Sequence, residues 1–380
     1  MNNIKTFPEL LAALAVYITI GIIIIKVGFF IVLLYCFSGD SKGTGKDNTK
    51  YPYYTNYIIR HIDNHNIVVG LYKKESSSSL QPWIISSKDN TTWLKNNTPN
   101  LYESNIKYDN QVLIKFHDKC YVIGIGENIL VSDKCESTWT IIFPKKLNRS
   151  LGETLSNAKS GVIATDGKLY ITNDGGVYSS LDGETWKKET LPLNSIYKTK
   201  FNNFNTITYG NNKVITSSFF YNGGPIHNAA NINQNSYISI IYTLDIPKQK
   251  WSTESFIGTI DYIQRGKDRF VGITSNATWI LADGNDTWTE QKQLFNYRYS
   301  RLIYESVANQ FIINGDDGFR ISLDGINWLQ LFKNDINMLY DNSTCYDSEC
   351  LAIQNRESKF KIIKYKLFGE VESYQIDIVQ

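Results

Sequence analysis

Histidines, carboxylates in turns, tyrosine-arginine groupings and cysteines are the side chains of this sequence that could do chemistry. The four histidines, His61, His65, His117 and His227, are dispersed and lack cysteine or carboxylate companions at metal-ligand spacing, so no metal site is expected. His61 and His65 would share a face on a helix, but the stretch around them reads as strand. Asp174 lies in Asn-Asp-Gly-Gly and Asp316-Asp317 precede a glycine, contexts in which backbone turns call for these residue types. Their reading is structural, and the sequence assigns no catalytic residue and no cofactor. Binding chemistry fits better. Tyr221, His227 and Tyr237 belong to a long polar insertion, and Tyr297-Arg298-Tyr299-Ser300-Arg301 alternates aromatic and basic groups of the kind enriched at interface hot spots.

Cys120, Cys135, Cys345 and Cys350 allow three pairings, with Cys36 set aside. Cys120 and Cys135 lie symmetrically about the turn Gly126-Glu127-Asn128 and are expected to face each other across strands. Cys345 and Cys350 stand in the same relation about Tyr346 to Glu349. Two such bridges imply an oxidising compartment. Asn-X-Ser/Thr sequons at Asn90, Asn96, Asn148, Asn276, Asn285 and Asn342 agree with that placement, but an Asn-rich sequence generates them by chance.

The elements that must position these groups are announced by a repeat: an apolar strand, Ser, Asp, often Gly, then Trp. Ser180-Leu-Asp182-Gly183-Glu-Thr-Trp186 and Ser322-Leu-Asp324-Gly325-Ile-Asn-Trp328 share one spacing. Ser87-Lys-Asp89-Asn-Thr-Thr-Trp93 has Asn for Gly, Asp283-Gly284-Asn-Asp-Thr-Trp288 carries one added residue, and weaker copies end at Trp139 and Trp251. Successive Trp positions differ by 46, 47, 65, 37 and 40, the spacing of four-stranded propeller blades. In each turn the Asp can accept backbone N–H groups, the Gly tolerates positive φ and the Trp folds back over the turn. These residues resemble the Asp-box, or bacterial neuraminidase repeat, family, known in sialidases, photosystem II assembly factors and many secreted propellers.

That resemblance implies an all-β chain with a single β-propeller over 51–380. Seven blades are favoured, averaging about 47 residues, with six as the alternative. The last blade is expected from Asn337 through Leu367, with Tyr374 to Val379 returning to close the ring. The sialidases of the family use an arginine triad and a Tyr-Glu nucleophile pair. The nearest match to their arginine motif, Phe319-Arg320-Ile321-Ser322, lacks the proline and falls late in the chain; Tyr304-Glu305 and Tyr102-Glu103 are ordinary dipeptides. Hydrolysis is therefore not expected.

Residues 10–37 are apolar apart from Thr19, Lys26 and a few small or aromatic side chains, long enough to span a bilayer as one helix. Tyr35-Cys36-Phe37 offers no small-residue cleavage site, so retention as an anchor is expected. Residues 1–9 form a tail and 38–50 a flexible Gly- and Ser-bearing linker. With 39 basic and 37 acidic residues and no long run of one sign, nucleic acid is not the expected partner. The sequence thus points to a single-pass membrane protein whose extracytoplasmic propeller is a protein-binding scaffold or assembly module, with a partner in or near the membrane. The alternative is a glycan-binding or glycoside-hydrolysing surface propeller.

Overall fold

The computed structural model describes residues 53–73, 80–90, 92–101, 110–135, 138–148, 154–192, 204–221, 237–257, 259–274, 277–292, 301–315, 318–332, 343–346, 349–356, 359–366 and 371–375. The expected tail, membrane-spanning helix over 10–37 and linker lie outside these residues. Among the described residues no helix is long and apolar enough to cross a membrane.

All described elements are strands, and they pair into seven four-stranded antiparallel sheets over 53–95, 112–142, 160–188, 204–257, 262–292, 301–332 and 343–375, here sheets 1 to 7. Within each sheet the strands follow chain order. The first strand of each sheet lies against the first strand of the next, and Ser343–Tyr346 of sheet 7 lies against Tyr53–Ile62 of sheet 1. The result is a single β-propeller.

Alternation along the strands explains why the sheets stack face to face. Successive side chains point to opposite faces, so Ile67, Val69 and Leu71 pack into a layer with Val122 and Leu130 of sheet 2. Val68, between them in sequence, packs with Ile59, Trp83 and Leu351 of sheet 7. Tyr121 and Ile123 of sheet 2 turn instead towards Leu169, Ile171 and Trp186 of sheet 3. The core is thus a series of apolar layers between sheets, and the layer holding Ile59 and Leu351 joins the last sheet to the first.

This closure corrects one expectation. The strand Val371–Gln375 does not return to sheet 1; it pairs with Lys359–Lys366 as the fourth strand of sheet 7. Residues 376–379 lie outside the described residues, and among those described the ring closes by packing, without a shared sheet.

Among the described residues each first strand pairs along one edge only, and at sheet 5 neighbouring hydroxyls supply hydrogen bonds to the other. Thr206 Oγ1 donates to the Ile263 carbonyl (3.2 Å) and accepts the Ile263 N–H (3.3 Å), while Thr208 Oγ1 accepts the Arg265 N–H (3.2 Å). Ser217 donates to the Ile260 carbonyl at 3.0 Å and Ser239 accepts its N–H at 2.7 Å. These buried hydroxyls stitch sheet 4 to sheet 5, each satisfying backbone groups that would otherwise cost about 1–3 kcal/mol when buried.

The Ser-x-Asp turns join third and fourth strands. In sheet 3, Ser180 Oγ donates to Asp182 (3.1 Å) and accepts the Gly183 N–H (2.8 Å). Asp182 Oδ1 accepts the N–H groups of Glu184 (2.8 Å) and Thr185 (2.5 Å), and Trp186 Nε1 donates to the Gly183 carbonyl (3.0 Å). Ser322, Asp324, Gly325 and Trp328 repeat the pattern in sheet 6 at 2.8 to 3.1 Å. Ser87, Asp89 and Trp93 repeat it in sheet 1, with a longer Trp93 contact of 3.4 Å.

The Asp283 copy departs from the pattern. Its carboxylate takes both guanidinium nitrogens of Arg265, at 2.6 and 2.7 Å, and one amide hydrogen of Asn211 at 3.1 Å. An arginine at the end of another strand captures the aspartate, and the turn closes through the Asn285 N–H on the Ala282 carbonyl instead. Trp288 is buried all the same.

The regular turns of sheets 3 and 6 also reach the preceding sheet. Tyr121 donates its hydroxyl to the Asp182 carbonyl at 3.3 Å, and Arg269 donates to the Asp324 carbonyl at 3.3 Å. Lys145, beyond the last strand of sheet 2, exchanges backbone hydrogen bonds with Glu184 and Trp186. The turns are therefore staples between sheets.

These staples are acid-sensitive. Burial pushes the Asp182 and Asp324 carboxyls up, but the backbone N–H groups of Thr185 and Asn327, with the others in each turn, bring both down to about 2. A carboxyl whose folded pKa lies below its unfolded value stabilises the fold above the unfolded pKa and loses that contribution as pH falls through the folded one. Stability is expected to decline between about pH 4 and pH 2, by about 1 kcal/mol per turn once solvent screening is allowed for. Asp182→Asn should flatten that decline in urea unfolding measured at pH 2, 3, 4 and 6; an unchanged slope would remove the turn from the explanation.

Candidate functional site

The strand order separates two faces. Each sheet is entered at one end of its first strand, and the second-to-third and sheet-to-sheet connections return to that same end. This face receives the longest connections: 96–111, 143–159, 189–203, 222–236, 293–300 and 333–342. The opposite face carries shorter connections: two-residue turns such as 63–64, 117–118 and 211–212, the Ser-x-Asp turns, and others of up to seven residues, such as 133–139. Long, variable connections on a rigid scaffold are where binding residues concentrate.

The described ends of both sequence-designated segments lie on the long-connection face. Tyr221 and Tyr237 are register partners at the ends of the second and third strands of sheet 4, and His227 lies outside the described residues. Arg301 opens the first strand of sheet 6 opposite Asn314, while Tyr297, Arg298 and Tyr299 lie outside the described residues. The sequence places the two segments far apart; the topology brings their strand ends to one face.

The described part of this face holds a polar arc that sequence reading missed. Asn110, just before sheet 2, donates its backbone N–H (2.9 Å) and amide (3.1 Å) to Asn157 Oδ1. Asn157, just before sheet 3, donates to Asp174 Oδ2 at 2.5 Å. Lys159 ion-pairs with Asp174 Oδ1 at 2.6 Å and donates to Asn205 of sheet 4 at 3.1 Å. The Lys159 side chain is only 14% exposed, whereas that of Asp174 is 48% exposed. The turn that holds Asp174 is fixed by Asn173, which accepts the Gly175 N–H at 2.7 Å and donates to the Thr154 carbonyl at 2.6 Å. Asp174 thus serves its turn and also connects side chains of three sheets. The available signal was positional: Asn110, Lys159 and Asn205 precede or open the first strands of successive sheets.

Asp261 occupies the corresponding place before sheet 5, and its N–H bonds the Ile273 carbonyl as the Lys159 N–H bonds that of Thr172. Burial pushes its carboxyl up, only partly offset by the Thr259 hydroxyl, to about 6. A carboxylic acid with a raised folded pKa weakens the fold above that pKa, and the penalty disappears as pH falls towards its unfolded value. Asp261→Asn is expected to raise stability at pH 7.5 by about 1–2 kcal/mol and to change nothing at pH 4. Equal gains at both pH values would show that the charge is not the cause.

The remaining candidates are accounted for structurally. His61 Nδ1 pairs with Asn66 Oδ1 at 3.1 Å in the first hairpin, and His117 Nε2 contacts the Leu181 carbonyl at 3.0 Å. Glu305 accepts the N–H groups of Val307 (2.9 Å) and Ala308 (2.7 Å), and Tyr304 donates to Asn309 (3.1 Å), so that dipeptide closes a turn. Among the described residues no group of three or more His, Cys, Asp or Glu is placed to hold a metal. Asp316 and Asp317 lie outside the described residues.

Cys120 and Cys135 are joined by a disulfide, Cα to Cα 5.0 Å. The expected register differs, because the strand partner of Cys120 is Ser132 and Cys135 lies beyond the strand in a bend with φ of 59°. Cys345 is also disulfide-bonded, and its register partner is Cys350.

Sheets stacked around one ring, with a polar arc on the face of the long connections, define a β-propeller domain. The chain belongs to the DUF6242 β-propeller domain family, whose model matches residues 89–344. No curated protein matches the sequence. Among solved structures, the extracellular domain of a one-component system from B. thetaiotaomicron is similar at 9% identity over 82% of this chain and 40% of that one, with a TM-score of 0.50. The extracellular domain of a hybrid two-component system from the same organism gives 13% identity over 70% and 33%, TM-score 0.49. The acylaminoacyl peptidase of Pyrococcus horikoshii gives 12% over 86% and 46%, TM-score 0.41. The chain spans less than half the length of these structures.

Proposed function

We propose that this chain is a membrane-anchored, extracytoplasmic binding module: a seven-bladed ring, one blade per sheet, stapled by turns of the Asp-box type. The long-connection face takes a protein partner in or near the membrane. The observation that carries the reading is the division of the faces, one built of shorter connections, several of them stapled turns, and the other receiving every connection of eight residues or more around a half-buried polar arc. The Cys120–Cys135 disulfide supports an oxidising compartment, and the apolar stretch over 10–37 supports the anchor. The aromatic and basic residues of 221–237 and 297–301 are of hot-spot type, and the described ends of both segments open on this face.

The test is crosslinking of the full-length protein in its native membrane, purification in mild detergent and mass spectrometry of the captured chains. A reproducible partner is expected, lost when 222–236 is replaced by Asn-Gly and retained when Lys248→Ala alters the opposite face. Capture indifferent to the 222–236 replacement, or no reproducible partner, would defeat the reading. Labelling of intact cells with a membrane-impermeant amine reagent should modify the propeller lysines; labelling only after lysis would place the domain on the other side.

A further inference from the structure

The outermost strands differ sharply in length. Those of sheets 1, 2 and 3 are Leu94–Lys95, Thr140–Ile142 and Trp186–Lys188, and those of sheets 5, 6 and 7 are Thr289–Lys292, Leu329–Phe332 and Val371–Gln375. In sheet 4 the outermost strand is Lys250–Ile257, eight residues long and paired without interruption to Tyr237–Asp245. An outer strand presents a row of backbone N–H and C=O groups, and proteins normally shorten, bulge or charge such edges. Lys250–Ile257 has no bulge and no proline, and its lysine stands at one end. Ser252 and Thr253 are exposed, whereas Phe256 is buried towards sheet 5 and Glu254 accepts the Trp288 N–H.

We infer that this edge pairs with the same edge of a second copy. The sequence of the strand argues for that occupant. Antiparallel pairing about a two-fold axis requires facing residues on the same side of the sheet, so their numbers must sum to an even value. Pairing centred on Thr253 sets Thr253 against Thr253 of the second copy, Ser252 against Glu254, Trp251 against Ser255 and Lys250 against Phe256. No like charges meet, and a hydroxyl faces a carboxylate on each side of the axis. Centring on Glu254 would oppose two carboxylates, a destabilising arrangement. One strand edge is a small interface, so the association is concentration-dependent.

The test uses the full chain in mild detergent with Cys36→Ser. The mass from sedimentation equilibrium should rise with concentration from monomer towards dimer, and Thr253→Lys, which opposes two ammonium groups at the axis, should weaken association at least tenfold. In the same background Thr253→Cys should give a disulfide-linked dimer on mild oxidation, since directly opposed residues lie within disulfide reach. Leu94→Cys on the exposed outer strand of sheet 1 should not. A monomer at every concentration, an unaffected Thr253→Lys dimer, or crosslinking as strong at 94 as at 253 would each overturn the inference. None of these outcomes depends on the captured partner of the other face.

Discussion

Gly325→Ala and Gly183→Ala should each cost about 2–4 kcal/mol, whereas Gly167→Ala and Gly284→Ala should cost only about 1 kcal/mol. All four glycines have φ between 72° and 83°, so the left-handed strain on alanine is nearly constant across the set. The surroundings differ. A Cβ on Gly325 would lie 2.4 Å from a Val271 methyl and one on Gly183 would lie 2.6 Å from the Tyr121 ring, but nothing stands within 4 Å of either control. Val271 and Tyr121 belong to the sheets that precede those turns, so the two sensitive glycines let a turn of one sheet press on the next. Gly284 is the informative control. It sits in the copy whose aspartate has been captured by Arg265, and the turn there has no close neighbour at that position. Urea unfolding of the four variants decides the matter; equal losses throughout would mean that strain alone matters and that the turns do not staple sheets.

The repeat and the alternating strands were legible because both are local. Ser-x-Asp spacing is sufficient for the closed hydrogen-bond pattern at Asp182 and Asp324, where every partner lies within three residues. The Asp283 copy, which has Leu281 in place of the Ser and one added residue before Trp288, misleads, because the competing Arg265 is eighteen residues away and its reach is a property of the assembled sheet. The polar arc was illegible for a related reason. Asn110, Asn157, Lys159 and Asn205 carry no pattern in sequence, and only the packing of three sheets brings them to Asp174. The long edge of sheet 4 was similarly hidden: Trp251 reads as the end of a degenerate repeat, whereas it is the second residue of an unusually long outer strand.

Removing the Cys120–Cys135 bridge should cost about 3 kcal/mol, the chain-entropy value for a closed loop of about 15 residues. The sulfurs also sit in the layer between sheets 1 and 2, with Ile58, Val122 and Trp139, so Cys120→Ala with Cys135→Ala removes some packing as well. Two comparisons separate these contributions. Reduction keeps both sulfurs and, with Cys345→Ala and Cys350→Ala in all the proteins compared because Cys345 is also disulfide-bonded, loses only this crosslink. Cys135→Gly in the Cys120→Ala background relieves the positive φ of residue 135 and should recover about 1 kcal/mol relative to Cys135→Ala. The expected order of stability is oxidised native, reduced native, the Ala/Gly pair and the Ala/Ala pair, read from urea midpoints at constant pH. If reduction left the midpoint unchanged, the bridge would contribute nothing to the fold and would lose its force as an indicator of an oxidising compartment. A large loss on reduction ties stability to that compartment, because the same chain held in a reducing one would keep the apolar layer and forfeit the crosslink that fixes the bend at Cys135 against the second strand of sheet 2.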